Sequence, residues 1–219
     1  MNDRLVLWGM RNPVRGLLHG VSACFAFVGA VLLGLGATSI EGRVSLLVFG
    51  LGLTALFLTS ALYHSGPWGP TAMRRMQRVD HSMIFILITA TFTPFAVLIL
   101  DGWFRASALS LAWTLASIGI VAVVRGTGGA ERRRVAAMIG LGWLSVFIVM
   151  PVERQLGLEA LVILAVGGAT YSLGGLLFAS GRPRLRPRVF SYHEVFHTLV
   201  VLAAVLHFVS VYHYLLPLA

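Results

Sequence analysis

The sequence predicts an all-α membrane protein, a seven-transmembrane-helix bundle with its N-terminus in the cytoplasm and its C-terminus outside. Three observations predict it. Apolar residues make up 58% of the 219 residues and charged residues only 11%, against about 25% charged in a soluble domain. The apolar residues fall into seven runs, each close to the ~20 residues that a helix needs to cross a bilayer. The 17 basic residues, all Arg, crowd into alternate loops between those runs.

Residues 1–16 are polar and basic, with Arg4, Arg11 and Arg15. The first run, at 17–37, is longer than the roughly 7–15 apolar residues of a signal peptide and is expected to stay in the mature chain. Six more follow at 44–64, 80–100, 106–124, 135–152, 159–179 and 191–216. Helices satisfy their own backbone groups in lipid. The ten-residue alternating segments of a β-barrel do not occur. Segments 1–16, 65–79, 125–134 and 180–190 hold 3, 3, 4 and 4 Arg. The remaining loops hold Arg43, Arg105 and Arg154, with Glu41, Asp101, Glu153 and Glu159 close by. The excess of Arg marks the cytoplasmic side. A single domain over 1–219 is expected, with no polar stretch long enough for a second.

Other features narrow the class. A net charge of +9 invites a nucleic-acid reading, but the Arg residues form no patch interleaved with aromatics. They act as topology signals that also attract anionic headgroups. Cys24 is the only cysteine, so there is no intrachain disulfide. No internal repeat suggests an inverted-repeat transporter. Gly168/Ser172 and Gly175/Ala179 are small residues four apart and predict close helix packing. Pro94 should kink the third helix, with Thr91 or Thr93 satisfying the freed carbonyl.

The polar residues inside the runs carry the chemistry. Ser60 and His64 close the second run, Asp80 and His81 open the third, and His193, Glu194 and His197 open the seventh. The predicted topology puts all of them at the cytoplasmic end. His193 and His197 are four apart and share a helix face, as do Ser60 and His64. Intramembrane ionisable groups are costly unless used. Three neutral imidazoles suit zinc, which in catalytic sites keeps a position for water; calcium or magnesium would want more oxygen ligands.

His193–His197 reads HEVFH and fits H-E-x-x-H, the zinc-protease signature. Its longer form fails, with Val200 and Ala203 at the Gly and His places. No Asp or Glu follows Glu194. The third ligand must come from upstream, and His64 is best placed. Asp80 is the carboxylate expected beside the metal water. Glu194 is expected to be a helix N-terminal acid or a hydrogen-bond partner in preference to the general base. His81 points about 100° away from Asp80 on a helix and is left out. His19 lies near the same end of the first run and is a further candidate contributor to the site. His207, fourteen residues beyond His193, returns to nearly that face about 21 Å deeper. His207 and His213 are expected to be packed or interfacial.

Together SALYH (60–64), DHSMIF (80–85) and HEVFH (193–197), set in seven runs, resemble the hemolysin III proteins, the bacterial branch of the progestin and adipoQ receptor family, which is related to alkaline ceramidases. The resemblance spans essentially the whole chain. It implies zinc on His64, His193 and His197, Asp80 bonded to the zinc water, Ser60 beside the site, and a place in the bacterial inner membrane. It further implies hydrolysis of a lipid amide or ester, with Asp80 and Ser60 as the catalytic pair and a role in membrane homeostasis. The alternative is a non-enzymatic, receptor-like or cytolytic pore-forming protein with structural zinc. A third reading is an ion or proton carrier along His207. Membrane lipids are the expected partners, and nucleic acid is not. The chain departs from the family in one respect: NPVRGLLHG (12–20) lacks the acid that many bacterial members carry early in the first helix.

Overall fold

A computed structural model describes residues 12–127, 129–186 and 189–219. Arg4, Arg11 and Arg188, used above to orient the chain, lie outside the described residues. Seven α-helices follow in order: α1 (Pro13–Gly36), α2 (Ile40–Ser65), α3 (Pro70–Ile99), α4 (Gly102–Arg125), α5 (Glu131–Trp143), α6 (Val149–Ser180) and α7 (Tyr192–Ser210). A 3-10 turn, Leu144–Ile148, joins α5 to α6, and a π turn, Val211–Leu215, extends α7.

Among the described residues, six helical stretches are long and apolar enough to cross a membrane, with Glu131–Ser180 running as one of 50 residues. A straight helix of that length would reach about 75 Å, more than twice the ~30 Å hydrocarbon core. It is not straight. Gly157 leaves the helical region with φ 85° and ψ 171°, a conformation open to glycine and costly for other residues. Two helical stretches therefore meet at Gly157, between the fifth and sixth predicted runs.

Each helix packs on its sequence neighbours, and α7 returns to α1. The order around the bundle is α1, α2, α3, α5, α6, α7. Helix α4 lies against the outside of α3 and buries only Ala112, Ala116 and Val123. The core is apolar, built on Leu33, Leu46, Phe49, Phe57, Phe95 and Val211. Large apolar side chains such as Phe25, Leu35, Trp103 and Phe147 face outward, as lipid contact requires.

Several expectations need correction. Helix α3 starts at Pro70, ten residues before the apolar run. Proline is favoured in a first turn, so Arg74, Arg75 and Arg78 ride on a helix that outruns its apolar span. The Thr91 and Thr93 hydroxyls donate to Leu87 O and Thr89 O, each at 2.8 Å, and leave the Ala90 carbonyl opposite Pro94 to other partners. Gly168 faces open space. Its neighbour Gly167 is the close approach, lying under the His207 ring. Gly175 does pack, against Val135 and Ile139 of α5.

A close backbone approach joins α1 to α2. A methyl group on Gly50 would lie 2.6 Å from Ala30 Cβ and 2.7 Å from Ala30 Cα. Backbone cannot swing aside as a long side chain can. Gly50→Val is expected to cost about 1–3 kcal/mol and to lower the unfolding midpoint in detergent. Gly168→Ala, into open space, should leave that midpoint unchanged.

Candidate metal centre

Four helix ends build the site. His64 is the penultimate residue of α2, while His193 and His197 occupy the first two turns of α7. One nitrogen from each of the three lies within 4.8 Å of the others. His64 and His197 are buried, at 3% and 2% exposure, and His193 is half-buried. The His193 and His197 rings stack at 4.9 Å and 16°, as the i,i+4 spacing dictates, and His64 meets His197 edge-on at 4.8 Å. Phe178 and Phe196 line the cluster from α6 and α7.

Ser60 lies one turn before His64 on the same face of α2 and is buried. The Asp80 side chain of α3 lies beside it. Asp80 thus connects to the cluster through Ser60 and does not join the group of atoms that can hold a metal. His81, next to it, faces the charge of Arg134 on α5.

Glu194 is fully engaged. One carboxylate oxygen accepts the Ser191 N–H at 2.7 Å, capping α7. The other accepts from Arg15 Nε of α1 at 2.6 Å. A carboxylate at a helix N-terminus is favoured by the helix dipole, and here both oxygens are taken. A general base needs a lone pair facing the substrate.

Four residues beyond Arg15 on α1, His19 is 2% exposed. Its ring sits 4.2 Å from that of His197. Arg15 and His19 therefore meet Glu194 and His197 pair for pair. Sequence reasoning gave His19 little weight and missed Arg15 as a site residue. The available signal was their spacing: two polar side chains four apart at the start of an apolar run share a face. His207 lies deeper, its Nδ1 2.8 Å from Ala203 O of its own helix and its ring 5.4 Å from Tyr171. His213 is exposed beside Tyr214.

The donor set fits a metal. His197 Nε2 is buried and, among the described residues, meets no hydrogen-bond partner. Leaving such an atom unsatisfied costs about 1–3 kcal/mol. Three imidazole nitrogens within 4.8 Å of one another suit a borderline transition ion better than a hard cation.

These features define a class: a multi-pass helical membrane protein with a buried three-histidine cluster able to hold a metal. The model of the family described as "Haemolysin-III related" matches residues 8–208. Hemolysin-3 of Bacillus cereus is 28% identical over 219 residues, covering 99% of this chain and 97% of its own. The Hemolysin-3 homolog of Bacillus subtilis (strain 168) is 27% identical, covering 84% and 85%. Monocyte to macrophage differentiation factor of Homo sapiens is 25% identical, covering 87% and 78%. The chain belongs to the haemolysin III family, within the wider progestin and adipoQ receptor family.

The Arg15–Glu194 pair is largely buried, with side-chain exposures of 16% and 8%. Breaking a buried pair from one side strands a charge. Arg15→Ala and Glu194→Ala should each lower the unfolding midpoint, and the double variant should be no less stable than the worse single. A coupling of about 1–3 kcal/mol is expected, read by denaturant unfolding in micelles.

Proposed function

We propose that this protein is a zinc-dependent membrane hydrolase that cleaves a lipid amide or ester from within the bilayer, with a role in membrane homeostasis. The observation that carries it is the buried His64/His193/His197 cluster, with the Ser60–Asp80 pair one helical turn away. His64, His193 and His197 would hold the ion. Bound there, zinc supplies a Lewis acid for a carbonyl oxygen and lowers the pKa of water from about 16 toward about 7.

The protein's own groups do the rest. Asp80 takes up the proton of the attacking water, and Ser60 orients that carboxylate through its hydroxyl. The aromatic walls at Phe178 and Phe196 keep bulk water away. A lipid reaches a site at this depth along the apolar flanks of the helices.

In this proposal the chain crosses the bacterial inner membrane seven times, with Gly157 as the turn between the fifth and sixth crossings. The Arg-rich loops put the N-terminus and the site on the cytoplasmic side. The name hemolysin-3 borne by the Bacillus relatives favours a second reading, cytolysis by a non-enzymatic bundle with structural zinc.

Purified protein is expected to carry about one zinc per chain by metal analysis, lost in His193→Ala; metal-free protein that stays folded and active would end the proposal. Asp80→Asn should abolish product release from labelled ceramide or phospholipid while zinc is retained. Ion or dye leakage that survives the same change would favour the cytolytic reading. For topology, a periplasm-dependent reporter should be active when fused after residue 219 and silent after residue 127; activity at both would overturn the orientation.

A further inference from the structure

A metal-binding imidazole uses one nitrogen for the ion, and the other needs a partner that fixes the ring. That partner is usually a carboxylate, a backbone carbonyl or water. In this protein the partner is a second histidine. His197 Nδ1 lies 2.9 Å from His19 Nε2 and 3.2 Å from His19 Nδ1. The opposite nitrogen, Nε2, is the buried atom that meets no hydrogen-bond partner among the described residues. One edge of the His197 ring is thus committed to α1, which leaves Nε2 as the nitrogen open to an ion.

The surroundings of His19 leave it little freedom. Its ring lies edge-on to Phe57 of α2 at 5.0 Å. One turn earlier on the same face, Arg15 is locked to Glu194 at 2.6 Å. That ion pair sets α1 against α7 three residues before His197. His19 is not itself one of the three residues whose nitrogens converge.

We propose that His19 is the positioning residue of the metal centre. Its Nε2 accepts the Nδ1–H of His197, which leaves the Nε2 lone pair of His197 for the ion. It holds the ring at the angle the other two ligands require. This rests on the metal reading above. It adds a fourth histidine, from α1, whose task is to select the tautomer of a ligand. A carboxylate in that place would add a negative charge beside the ion; His19 orients the ring without one.

Three variants and one spectroscopic measurement test it. His19→Leu fills similar volume but offers no acceptor. His19→Gln places a carbonyl oxygen near the position of Nε2. His19→Ala removes both. Each would be purified, stripped of metal, and titrated with zinc in the presence of a competing chelator. Its metal-free unfolding midpoint would be recorded alongside. The Leu and Ala variants are expected to bind zinc 10–100-fold more weakly than the parent. The Gln variant should recover to within about threefold of the parent. In zinc-loaded parent labelled with 15N-histidine, His197 should carry its proton on Nδ1. This last measurement needs no variant to fold.

Zinc affinity in His19→Leu equal to that of the parent would overturn the proposal and make His19 a packing residue. So would a Gln variant as weak as the Leu variant, or a His197 proton found on Nε2. A parent that binds no zinc would instead overturn the metal reading beneath it.

Discussion

Polar groups removed from water must find their partners inside the protein, and at one end of this bundle that requirement falls on imidazoles. Four histidines from three helices lie ring against ring where water is scarce. A charge on any one of them would lose its hydration, and two charged rings would also repel each other. The helices must therefore arrive at fixed angles, so that nitrogen faces nitrogen or faces a common ion. The Arg15–Glu194 pair and the Ser191 cap fix α7 against α1. Ser60 of α2 and Asp80 of α3 lie side by side where those helices pack. The bundle closes into a ring because its last helix has to meet its first.

The HEVFH segment shows how little a short pattern determines by itself. In a zinc protease the glutamate between the histidines must point at substrate. Here it caps its own helix and pairs with an arginine from α1. In the proposed site the acid role falls to a different helix, and the third nitrogen of the cluster comes from the end of α2. The same five letters mark a three-helix site once the surrounding chain supplies no acid downstream.

Much of this was legible in the sequence. Runs of apolar residues near membrane length stand out whatever the packing, because lipid demands them. His64, His193 and His197 were legible because charge and polarity are rare there. Packing partners were not. A helix in lipid is apolar on every side, so periodicity does not say which face meets protein. Gly168 and Gly167 are equally small, and only one lies under a ring. His19 looked like any lone intramembrane histidine until α7 was seen beside it. The early start of α3 was hidden because Arg74, Arg75 and Arg78 end an apolar run without ending a helix.

The contact between His19 and His197 spans 178 residues of chain. A ribosome adding about 5–20 residues per second needs roughly 10–35 s to cover that interval. For that time α1 is in place with Arg15 and His19 turned toward a helix that has not yet been made. The histidine cluster is therefore completed late in synthesis, ahead only of the contacts that residues 198–219 bring, such as Ala219 on Thr38. A chain released before residue 197 would have its early helices and no centre.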